Sequence, residues 1–110
     1  MNLRSDLPIK YYLNVYNEEE LQDARVVLFN ITQYLLKVAE SKGKGSSPEN
    51  LKFTTNSLKY IFGEKVKDEE FKVNLIKKIK SLIKEEFLEV KGETFHVKQL
   101  GISLFYELND

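Results

Sequence analysis

The sequence predicts a mainly α chain with one small β hairpin, an α+β fold in a single domain. Three observations carry this expectation. Apolar residues recur at three- and four-residue spacing over 17–40 and again over 69–84, the period of an amphipathic helix. Between 87 and 98 two strand-like runs flank Gly92-Glu93, the pattern of a hairpin. A length of 110 residues with an ordinary apolar content suffices for one core.

Composition narrows the function classes. The 17 basic and 17 acidic side chains cancel. Zero net charge argues against a general polyanion binder and leaves only local patches. The charge is uneven along the chain. Residues 51–98 hold 11 Lys against eight acids, whereas residues 1–50 are slightly acidic. There is no cysteine, so neither a disulfide framework nor a thiolate metal site is available. The start of the chain lacks the basic-then-apolar pattern of a secretory signal. No apolar run approaches the roughly 20 residues of a membrane span. A soluble cytoplasmic protein without a membrane partner is expected. Arg4 and Arg25 are the only arginines, a lysine bias that points to an AT-rich genome, viral or archaeal.

Residues 9–16 alternate Ile9, Tyr11, Leu13 and Val15 against Lys10, Tyr12, Asn14 and Tyr16. Such period-two alternation suggests an extended arm over 1–16. The arm either packs on the first helix or is exchanged with a second subunit. A helix then follows from Asn17 to Glu40. Asn17 suits the N-cap, Glu20 completes a capping box, and Glu18 and Glu19 complement the dipole. The acid triplet reads as a solvated first turn rather than a metal site. Leu21, Ala24, Leu28, Ile31, Leu35 and Val38 form the main apolar stripe, widened by Val27 and Tyr34. Val26, Phe29 and Leu36 form a second, thinner stripe. The arm or a partner helix is expected to cover it.

Residues 41–50 are a loop by composition, with Gly43 stopping the helix. It lacks the GK[ST] and strand-loop-helix setting of a phosphate-binding loop. Leu51-Lys52-Phe53 suits a short strand. Thr54 or Thr55 then caps a short helix with Leu58, Ile61 and Phe62 inward, ended by Gly63. Residues 63–68 are a turn, and Asp68 caps the next helix.

On a helical wheel, Phe71, Leu75, Ile76, Ile79, Leu82 and Ile83 fill one arc. Asn74, Lys77, Lys78, Lys80, Ser81 and Lys84 fall on the other, with Val73. Lys72 lies within the apolar arc and must snorkel at its margin. No acid occurs between Glu70 and Glu85. The bland reading is a solvated helix face. A mixed surface would normally include some Glu for i,i+4 pairing. Its absence favours a face turned to phosphates, where lysines bind by releasing counterions. Asn74 and Ser81 are the face residues suited to base edges. The lack of arginine, and Glu69 and Glu70 at the helix start, weaken sequence reading.

In the hairpin, Gly92 at the first turn position suits a type II′ turn. That register pairs Lys91 with Thr94, Val90 with Phe95 and Leu88 with Val97. The apolar pairs share one face; Glu89, Lys91, His96 and Lys98 share the other. Glu89-Val90-Lys91 matches the acid-x-Lys element of a nuclease strand, but the larger mixed sheet of such a site is missing. With one histidine and no cysteine, no general base has an orienting partner. No enzyme activity, cofactor or metal is expected.

The order helix, short strand, short helix, longer helix, hairpin over 17–98 resembles the winged helix-turn-helix superfamily. Residues 75–101, LIKKIKSLIKEEFLEVKGETFHVKQLG, look like the recognition helix and wing of its small regulators. The resemblance implies a single winged-helix-like domain over 17–108, closed by a helix over Leu100–Leu108 carrying Leu104 and Phe105. It implies a DNA-binding regulator of transcription that acts as a homodimer on double-stranded DNA. Asn74, Lys77, Lys78, Lys80, Ser81 and Lys84 would face DNA, and Lys91 would contact a flanking phosphate. Val26, Phe29, Leu36, Leu104 and Phe105 would join two subunits. The chain departs from the pattern in its six-residue turn before the long helix, where a tight helix-turn-helix uses three or four. A protein-interaction module of the same fold, without enzymatic activity, stays open as the alternative.

Overall fold

Asp23 decides where the first helix begins. In the computed structural model, which describes residues 23–108, its backbone is extended and its carboxylate accepts the Arg25 N–H at 2.9 Å. This is an N-cap, which satisfies one of the orphan donors of the first turn. Helix α1 therefore spans Ala24–Ser41. The uninterrupted helix expected from Asn17 is corrected at this point, because Asp23 is not helical. The expected arm, the cap at Asn17, the acid triplet and Leu21 lie outside the described residues.

Seven consecutive residues of α1, from Val26 to Thr32, are buried. A helix lying on a surface buries one stripe; one buried all round is enclosed. Val27, Leu28, Ile31 and Leu35 join the main core with Leu51, Leu58, Leu75, Ile79, Leu82, Leu88 and Val97. Val26 and Phe29 enter a second cluster with Phe105, edged by Leu36 and Leu108. The Phe29 and Phe105 rings stack at 4.8 Å. Among the described residues, the cover on the second stripe is thus the C-terminal helix of the same chain. Val26, Phe29 and Phe105, assigned above to a dimer interface, are core residues of one protomer.

After α1 the chain makes a 3-10 turn at Pro48–Asn50 and the two-residue strand β1, Lys52–Phe53. Thr54 and Ser57 form a capping box that starts the next turn. It leads into α2, Leu58–Phe62, which Gly63 ends at φ 77°. The expected turn over 63–68 is coiled as 3-10 helix at Gly63–Lys67. Asp68 then accepts the Phe71 N–H at 3.0 Å and caps α3, Glu69–Lys84.

Two helices end in the same way. In α1, Lys44 N–H reaches the Ala39 carbonyl and Gly43 N–H the Glu40 carbonyl, with Gly43 at φ 71°. In α3, Phe87 N–H reaches Leu82 and Glu86 N–H reaches Ile83. Both are Schellman motifs, whose left-handed position glycine occupies without strain. In α3 that position holds Glu86 at φ 66°. A side chain there costs about 1–2 kcal/mol. The exposed Glu86–Lys98 ion pair at 3.0 Å offsets only part of it. Glu86→Gly is therefore expected to raise stability by roughly 0.5–1 kcal/mol. A thermal melt checks it, and a lower midpoint would contradict it.

Strands β2, Leu88–Lys91, and β3, Thr94–Val97, pair in the register read from the sequence: Leu88 with Val97, Val90 with Phe95, Lys91 with Thr94. Gly92 has a positive φ and Glu93 does not, as a type II′ turn requires. β1 adds to the far side of β3, giving an antiparallel sheet of order β1-β3-β2. The molecule is mostly helical with this one small sheet, an α+β fold.

Helix α4, Gln99–Leu108, closes the structure. Its inward residues are Gly101, Ile102 and Phe105. Leu100 is 53% exposed although it suits one helix face with Leu104, Phe105 and Leu108, and Leu104 is half-buried. The reason is Gly101. A Cβ at that position would stand 2.6 Å from the Phe87 carbonyl oxygen and 3.0 Å from Val97 Cγ1. Only glycine lets α4 settle on the hairpin base, and that contact sets its rotation. Gly101→Ala should cost about 1–3 kcal/mol by overpacking. A urea midpoint equal to that of the parent would refute the close approach.

Candidate nucleic-acid interface

The rotation of α3 follows from its inner stripe. Leu75, Ile79 and Leu82 are almost wholly buried. Lys77, Lys80, Ser81 and Lys84 are exposed as a consequence, with Val73 among them at 44%. Asn74 is half-buried at the margin. Lys78 leaves the strip: it is half-buried and lines a groove with Asp23, Arg25, Ser81, Glu85 and Leu104. Charges of both signs meet there. Lys72 lies half-buried at the apolar margin, the position its wheel angle required.

Ion pairs link Asp23 to Arg25, Glu64 to Lys67, Glu89 to Lys91 and Glu86 to Lys98. Among the described residues, no α3 lysine takes part in one. At Lys67 the Glu64 carboxylate lies at 2.7 Å. Their hydrogen bond first, and their opposite charges second, raise the ammonium and lower the carboxyl from their ordinary values. Among the described residues, Lys77, Lys80 and Lys84 have no such neighbour. Among the described residues no carboxylate neutralises the strip, so a polyanion can replace its counterions.

The hairpin adds less than the sequence suggested. Lys91 is exposed but lies 3.5 Å from Glu89, a pair weak enough for a competing anion to open. Glu69 and Glu70 stand exposed at the start of α3. They suit the helix dipole and oppose a phosphate there. The structure also presents Tyr60, 65% exposed on α2, with the Lys59 ammonium 5.1 Å from its ring. Neither residue drew notice in the sequence, where a short helix offers too few turns to separate inner from outer positions.

No family model, curated protein or solved structure matches the chain. Among the described residues, no helix is long and apolar enough to cross a membrane. No three His, Asp or Glu side chains converge among them as metal ligands.

Proposed function

We propose that this chain is a winged-helix DNA-binding domain, a small transcriptional regulator that grips duplex DNA through α3 and the hairpin. The element order, with β1 added to the hairpin beside the long helix, supports the fold reading. One observation carries the function: Lys77, Lys80 and Lys84 are exposed and, among the described residues, unpaired on a helix with no acid from Phe71 to Lys84. Such a face binds phosphates whatever the sequence. Val73 could touch a thymine methyl, and Asn74 and Ser81 could reach base edges. Phosphate gripping outweighs base reading here, because no arginine is present on the face.

Of the homodimer surface expected from the resemblance, Val26, Phe29 and Phe105 are internal, whereas Leu36 and Leu104 are half-buried. Leu100 and Tyr106, exposed on α4, remain for it. The same two side chains, with zero net charge, favour the second reading, a protein-interaction module of this fold.

The test is fluorescence anisotropy on duplex DNA across a salt series. Three or four phosphate contacts should give a slope of log affinity against log salt of about −3 to −4. Absence of binding at low salt, or a flat slope, sinks the reading. Retention of a protein partner at high salt would then favour the module.

A further inference from the structure

The outer face of the sheet holds a second set of cations. β1 and β3 pair so that Lys52 lies directly opposite His96. Paired residues point to one face, and alternation brings Thr94 and Lys91 to the same side. A groove of about 400 Å³ opens over them, lined by Lys52, Phe53, Thr54, Ser57, Lys91, Thr94 and His96. No carboxylate lines it. Glu89, across β3 from Lys52, is turned to Lys91 at 3.5 Å. Among the described residues, Lys52 has no ion-pair partner.

The hydroxyls add donors. Ser57 Oγ accepts the Thr54 N–H at 3.1 Å and shares a hydrogen bond with Thr54 Oγ1 at 3.3 Å. That arrangement uses one of the two hydroxyl hydrogens and leaves the other free. Two ammonium groups, that of Lys91 shared with Glu89, an imidazole and spare hydroxyl donors thus surround the concavity.

We propose that this groove binds a phosphate group, and that in the DNA complex it takes a backbone phosphate beyond the α3 contact. The second half of the proposal rests on the DNA-binding reading. The chemistry is the same for a free phosphate, so the experiment has two arms.

In the first, the groove variant Lys52→Gln with Lys91→Gln is compared with the parent for duplex binding across salt. Both sites are exposed, and a circular dichroism melt verifies the fold. The variant should bind about tenfold or more weakly at 0.1 M salt, with a slope smaller in magnitude by about 1.8. In the second, inorganic phosphate is titrated into the parent chain and followed by NMR, with sodium chloride at equal ionic strength as control. Shifts should gather at Lys52, Thr94 and His96. Weaker duplex binding together with localised shifts supports the whole proposal. Localised shifts with unchanged duplex binding overturn the backbone contact and leave a site for free phosphate. Parental duplex binding by the variant, with no localised shifts, overturns the groove entirely. If the parent itself binds no duplex, the DNA reading fails separately and the phosphate arm alone decides the groove.

Discussion

Phe29→Ala is expected to destabilise the protein by about 3–5 kcal/mol. Phe29 is fully buried, and its ring stacks on Phe105 at 4.8 Å. Truncation removes the transfer free energy of the ring and leaves a cavity between two helices. It also removes an aromatic pair worth roughly 0.5–1.5 kcal/mol beyond its area. Domains of this size have a total stability of about 5–15 kcal/mol, so the loss is a large share. Urea unfolding followed by circular dichroism measures it. The result also separates two roles for Phe29. A core residue lowers the unfolding midpoint at every protein concentration. A dimer contact would change subunit dissociation and leave a dilute monomer's midpoint unmoved, and that outcome would restore the interface reading.

The paired substitution Lys77→Glu with Lys80→Glu is expected to weaken duplex binding at least ~100-fold at 0.1 M salt. Each lost contact removes about 0.9 from the magnitude of the salt slope. Each new carboxylate adds repulsion against the backbone. Both side chains are exposed, so stability should stay within about 0.5 kcal/mol. Lys37→Glu with Lys44→Glu, exposed lysines on α1 and just after it, controls for the same change in net charge. If the double variant binds as the parent does, α3 is not the contact surface. If the control loses as much, the effect is general charge and the surface has no localised role.

Much of the framework was legible in the sequence because its signals are local. Asp68 sits three residues before Phe71, where the apolar period begins, and fixes the start of α3. Gly92-Glu93 and the alternation around it set the hairpin register, since a one-residue slip would turn Val90 and Phe95 to the wrong face. The lysine strip was legible for the same reason: Leu75, Ile79 and Leu82 define the inner side, and the rest follows by rotation.

What was missed depends on contacts between distant segments. Asn17 and Asp23 are both good caps, and the apolar period runs through both without choosing. The stripe at Val26, Phe29 and Leu36 announced that it would be buried, but periodicity does not name the cover. The rotation of α4 turns on Gly101 meeting Phe87, 14 residues earlier by number, a contact that local spacing does not show. Lys78 lies near the boundary of the two arcs, where a wheel cannot tell a strip from a groove wall. Lys52 comes to His96 only through the pairing of β1 with β3.

The sheet also bears on how the protein behaves when concentrated. Open strand edges invite further chains to add to a ladder, the first step of aggregation. Here one edge is β1, two residues long and carrying Lys52. The other is β2, four residues long with Glu89 and Lys91 on its outer side. Neither offers an extended, uncharged run of free N–H and C=O groups. Among the described residues, the short, charged borders of this small sheet oppose the addition of further chains.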